Sequence, residues 1–222
     1  MAAIVSPRIN MLTPDQFLDY FNKNFPTWKS FQGNQFKTIR ESWVAANFLR
    51  TYNRVFNLSY TIPAFVIENN SHSVPDIKGC INCFNNNIIN FEIAEVLFDG
   101  ESRAKKYENI DEYPKIGNIV SNPEAISIVR SNLLKLLKEK IFADYGKNTF
   151  LLFYFNPSFD AGEELFFDKE KIIQGFLNEN EFEEILSKNR VFQEIWLLTG
   201  RINNGYSQII CILPNFHVFT IS

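Results

Sequence analysis

Sulfur and imidazole are scarce in this chain, with three cysteines and two histidines among 222 residues. A small, odd cysteine count argues against a disulfide framework and fits a reducing compartment, so a cytoplasmic setting is expected. Cys80 and Cys83 make a CxxC pair, but no second pair and no histidine cluster accompany it. Structural zinc sites normally close with four such ligands, which disfavours a metal or redox protein built on this pair. No apolar run approaches the roughly 18 residues of a membrane span, so no membrane partner is expected. Met1 to Arg8 lacks a charged leader followed by a long apolar core, and no signal peptide is expected there. Walker-type loops, dinucleotide fingerprints and serine elbows are missing too, which removes sequence support for those enzyme classes. Neither an internal repeat nor a low-complexity tail interrupts the chain.

Strong net charge is also lacking. The total of −3 conceals an uneven spread: residues 1–60 carry +4, residues 61–120 carry −4, residues 121–147 carry +2 and residues 148–222 carry −5. Such a total does not advertise nucleic-acid binding, although local basic helices can supply it. What the chain has in abundance is apolar material, 45% hydrophobic residues against 21% charged, a globular balance. Its 23 phenylalanines mostly fall at strand or helix spacing and read as core rather than as a base-stacking platform. The length suits one domain with a substantial core.

Thr13-Pro14-Asp15 opens a helix as cap, first-turn proline and first-turn acid, and Pro26 stops it after Asn24. Phe17, Tyr20 and Phe21 mark its apolar side. A longer helix is predicted from Gln35 to Phe56, with Val44, Phe48 and Val55 aligned and Glu41 at the edge of that face. Arg40, Asn47, Arg50 and Arg54 form a separate stripe, read as a solvated face ahead of a phosphate track. Tyr60 to Glu68 reads as a strand. Ser121-Asn122-Pro123-Glu124 starts another helix, carrying Ile126, Val129, Leu133, Leu136, Leu137 and Ile141 inward and Arg130, Lys135, Lys138 and Lys140 outward. Asn148 to Phe155 is continuously apolar, as in a strand covered on both faces. Helical stretches follow after Asp168 and around Phe182, Ile185 and Leu186; strands are predicted at Val191–Leu198 and Gln208–Leu213, joined through Asn204-Gly205.

Pro75 to Lys106 carries the chemistry. Apolar, β-branched stretches on both sides of Asn85-Asn86-Asn87 predict two antiparallel strands and a hairpin. Embedded in them are Asp76 and Glu92. Ionised carboxylates in a buried strand are costly unless a partner or metal compensates, so this pair is a candidate oxygen-ligand set for a hard cation. His72 is a candidate general base, with exposure in a loop as its plainer reading.

Pro75-Asp76 followed by Glu92 on the next strand resembles the PD-(D/E)XK, restriction-endonuclease-like nuclease superfamily. The resemblance implies a three-layer α/β (α+β) domain whose central mixed sheet is flanked by helices, here residues 35–222 after an N-terminal helical extension, 1–34. It implies metal-dependent phosphodiester hydrolysis of DNA or RNA, with Asp76 and Glu92 catalytic and Mg2+ or Mn2+ as cofactor. A helix acid often completes that family's metal site, and Glu41 is the natural candidate, with a helix-surface acid pairing with Lys37 or a nearby arginine as its plainer reading. The family's lysine position falls on Ala94, a departure from the pattern. Lys78, two residues after Asp76, and Lys105 and Lys106, beyond the second strand, are the candidate replacements, with Lys78 and Lys106 first. The alternative to an active nuclease is a nuclease-like domain that has lost catalysis and serves as a binding or assembly module.

Overall fold

A computed structural model describes residues 11–24, 37–63, 75–96, 122–155, 180–199, 208–214 and 217–220. Among them the elements run β1 (Met11–Leu12), α1 (Pro14–Asn24), α2 (Lys37–Phe56), β2 (Tyr60–Pro63), β3 (Ile77–Asn82), β4 (Ile88–Glu95), α3 (Asn122–Ile141), β5 (Thr149–Phe155), α4 (Asn180–Ser187), β6 (Phe192–Thr199), β7 (Gln208–Leu213) and β8 (His217–Thr220). Strands β2 to β8 form one mixed sheet whose spatial order is the chain order, and the two-residue β1 extends its β2 edge. β4, β5 and β6 pair in parallel; every other pairing is antiparallel. This is an α/β fold.

Local signals account for the elements the sequence reading placed. Thr13 and Gln16 cap α1 reciprocally: Gln16 N–H donates to Thr13 Oγ1 at 3.2 Å and Thr13 N–H to Gln16 Oε1 at 2.9 Å. Asn86 takes a left-handed φ of 55° in the β3–β4 turn, which asparagine tolerates well. The β5 run is buried on both sides because helices cover both faces of the sheet. Two short strands, β1 and β8, were not predicted; each is too short to establish a period.

The sheet divides the core in two. On one face Phe17, Leu18 and Phe21 of α1 and Val44, Phe48 and Leu49 of α2 pack against Ile77, Phe91, Phe150 and Trp196. Tyr20, predicted on that side of α1, is 45% exposed and lies outside it. On the other face Leu133, Leu137 and Ile141 of α3 and Phe182 and Ile185 of α4 pack against Ala94, Leu151, Phe153 and Leu197. Both parallel crossovers, β4 to β5 and β5 to β6, step in the same direction along the sheet. A shared right-handed sense puts their helices on one side, leaving the other for α1 and α2.

The expected helix after Asp168 and the Asn204-Gly205 turn lie outside the described residues, as do the side chains of Ile126 and Val129.

Candidate functional site

The site is built where β3 parts from β4. Their pairing runs from Ile81 opposite Ile88 to Ile77 opposite Phe91, with a bulge between Ile77 and Cys80. Gly79 lies in that bulge at φ 77°, a conformation that disfavours any side chain, and its N–H donates to Asn90 Oδ1 at 3.0 Å. Beyond Phe91 the edge of β4 loses its backbone partner. The Asp76 carboxylate takes over, with Oδ2 accepting the Ile93 N–H at 2.8 Å.

Glu92 alternates with Phe91 and Ile93, so it lies on the α3 side of β4 together with Ala94. It is 4% exposed and pairs with the Lys140 ammonium, which arrives from the last turn of α3. Glu41 comes from α2 on the opposite face, 8% exposed, with Lys37 Nζ 3.1 Å from its Oε1. The same Lys37 ammonium donates to Asp76 Oδ1 at 3.5 Å. Lys37 thus bridges Glu41 and Asp76, and Lys140 holds Glu92.

Burial and mutual repulsion shift their ionisation. Burial first, then the negative charge of Asp76, raises Glu41 to about 7 against the opposing pull of Lys37, and Glu92 contributes in the same upward direction. Burial, then Asp76, also raises Glu92, while Lys140 opposes the shift. For the two lysines burial works against the charged form, but the carboxylates outweigh it and both ammoniums are held above their ordinary range. Arg40 stands nearby, within electrostatic reach of Glu95 and Glu41. Lys140 also lies over the Tyr145 ring, 5.7 Å from its centroid.

Among the sequence candidates, Glu41, Asp76 and Glu92 come together. Lys78 is exposed on β3, inside the bulged segment, and pairs with none of them. Lys105, Lys106 and His72 lie outside the described residues. The cations found at the acids, Lys37 and Lys140, were not singled out as site residues. Lys37 carried the one signal available, its four-residue spacing from Glu41. Cys80 is fully buried and Cys83 exposed, so the CxxC thiols face different surroundings, and burial pushes the Cys80 thiol upward.

All three acids offer hard carboxylate oxygens, the donor type that Mg2+ and Mn2+ prefer. Among the described residues, however, no three acid, histidine or cysteine side chains are gathered closely enough to enclose one ion. Comparison with protein-family models, curated proteins and solved structures returned no match. No helix of the described residues is long and apolar enough to cross a membrane.

Proposed function

We propose that the chain is a metal-dependent phosphodiesterase of restriction-endonuclease-like architecture that acts on nucleic acid. One observation carries the reading: Asp76, just before β3, shares Lys37 with Glu41 of α2 and lies within electrostatic reach of Glu92 of β4, which is paired with Lys140 of α3. Glu41, Asp76 and Glu92 would hold Mg2+ or Mn2+. Such an ion polarises a phosphoryl oxygen and acidifies a bound water.

The rest of the chemistry belongs to the chain. Asp76 is oriented at both oxygens, Oδ2 by the Ile93 amide and Oδ1 by the Lys37 ammonium. Lys140 brings to the Glu92 side a positive charge that Ala94 cannot supply. An ammonium beside a scissile phosphate stabilises the charge that grows on it in the transition state. Lys140 therefore replaces the lysine of the family pattern in this reading.

The test is cleavage of labelled single- and double-stranded DNA and RNA with Mg2+ or Mn2+, against EDTA and against Asp76→Asn. Metal-dependent cleavage that Asp76→Asn loses supports the proposal. The second reading, a non-catalytic binding module, is favoured by Ala94 and by the lack of an enclosing acid group among the described residues. It takes over if no nucleic acid is cut and metal does not raise the melting temperature.

A further inference from the structure

We propose that Tyr145 is a positioning residue for Lys140, its ring confining the tip of that long stem so that the ammonium stays on Glu92. This rests on the phosphodiesterase reading only for the use made of the charge; the placement itself needs neither a metal nor a substrate.

A lysine charge rides on a flexible four-carbon stem, and holding it by a single ion pair costs side-chain entropy. Lys140 has a second contact. Its Nζ stands over the Tyr145 ring, 5.7 Å from the centroid, within the range of cation–π attraction. One ammonium thus has a carboxylate partner from β4 and an aromatic partner from the connection between α3 and β5.

The ring is held in turn. Tyr145 is 8% exposed and stacks on Phe192, the first residue of β6, at 5.1 Å with the planes 29° apart. Both belong to the core between the sheet and α3 and α4. Its backbone is tied to the start of β5, where the Thr149 hydroxyl donates to the Tyr145 carbonyl at 3.1 Å. Tyr145 therefore places the end of the Lys140 stem relative to two strands that Lys140 itself does not touch through its ion pair. Burial, then the charge of Glu92, raises the Tyr145 phenol above its ordinary range, against the pull of Lys140. The phenol is accordingly neutral at neutral pH. It attracts the ammonium through its face and does not compete with Glu92 as the anion.

Acetic anhydride labelling read by mass spectrometry tests the assignment on wild type, Tyr145→Phe and Tyr145→Leu. Lys140 is followed relative to exposed Lys135, with Lys138, paired with Glu181, as a control on the same helix. Tyr145→Leu should raise the relative reactivity of Lys140 at least about threefold, the scale of one cation–π contact. Tyr145→Phe keeps the ring and should stay within about twofold of wild type, and Lys138 should not change. An unchanged Lys140 in Tyr145→Leu, an equal rise in Tyr145→Phe, or an equal rise at Lys138 overturns the assignment.

A second measurement uses the unaltered protein and does not depend on the variants folding. The ring current of Tyr145 should move the Lys140 Hε resonances upfield of those of Lys135, and coincident resonances also overturn the assignment. In the cleavage assay Tyr145→Leu should lower kcat about tenfold with KM little changed, and Tyr145→Phe should restore it. An unchanged kcat removes the role in turnover. A wild type that cuts no nucleic acid sinks the phosphodiesterase reading, and the labelling then decides the placement by itself.

Discussion

The two ends of α2 treat buried carboxylates in opposite ways. Near its start, Glu41 joins Asp76 and Glu92, and the three acids are balanced by the flexible side chains of Lys37 and Lys140. Near its finish, about 17 Å further along the helix axis, Tyr52 meets a single acid, Glu194 of β6. There the donors are neutral and directional: Trp196 Nε1–H donates at 2.6 Å and the Tyr52 hydroxyl at 3.3 Å to the same oxygen, Oε2. Rings surround the group, with Phe48, Phe56 and Tyr52 packed against Trp196 at centroid distances of 5.5, 6.1 and 5.5 Å. Burial raises Glu194 just as it raises Glu92. A carboxylate held by rigid rings is part of the framework. Carboxylates held by lysines on long, flexible stems are less rigidly fixed.

That contrast can be broken most sharply by Asp76→Asn against Glu194→Gln. Asp76→Asn should lower cleavage by at least about a thousandfold, roughly 4 kcal/mol of transition-state stabilisation. It should also abolish the metal-induced rise in melting temperature, whereas Glu194→Gln should change turnover by no more than about twofold. Equal losses in the two variants would erase the distinction.

Next in size is Lys140→Met, expected to reduce kcat about a hundredfold with little change in KM, and to be partly rescued by Lys140→Arg. Lys78→Ala, away from the acids, should have a smaller effect in the same assay. On the framework side, Trp196→Phe removes one of two donors from a half-buried acid and should cost about 1 kcal/mol in urea unfolding.

The smallest effect is in pH. Glu41 binds its proton more tightly folded, at about 7, than its ordinary 4.5. Its contribution to stability is therefore complete below the unfolded value and is lost as pH rises through about 7. The melting temperature of the metal-free wild type should accordingly fall from about pH 5 to about pH 8 relative to Glu41→Gln. A flat difference would show that Glu41 titrates normally.

The acids of the site were legible because they break a local rule. Asp76 and Glu92 sit in stretches whose composition demands burial, and Glu41 stands one turn before Val44 on an apolar helix face. Glu194, within the apolar run from Phe192 to Thr199, breaks the same rule and could have been found by it. Of the cations, Lys37 is legible through its four-residue spacing from Glu41, whereas Lys140 is not. Lys140 reaches Glu92 across 48 residues, through the docking of α3, and in α3 it looks like any lysine in a last helical turn. Strand alternation put Lys78 on the face of Asp76; it is exposed within the bulged segment between Ile77 and Cys80 and forms no ion pair with the three acids. The Arg40-to-Arg54 stripe was similarly simplified: Asn47 within it is 1% exposed and accepts from Arg50 Nη2 at 3.3 Å.

The identity of strand order and chain order has a consequence for assembly during synthesis. Each strand extends an edge already laid down, so the sheet can grow in the direction in which the ribosome delivers it. Glu41, Asp76 and Glu92 all emerge before α3, and Lys140 belongs to the last turn of that helix. Glu92 is thus made before the lysine that pairs with it. Seating α3 and completing the site become one event, and a chain halted before residue 140 would hold Glu92 without its counter-charge.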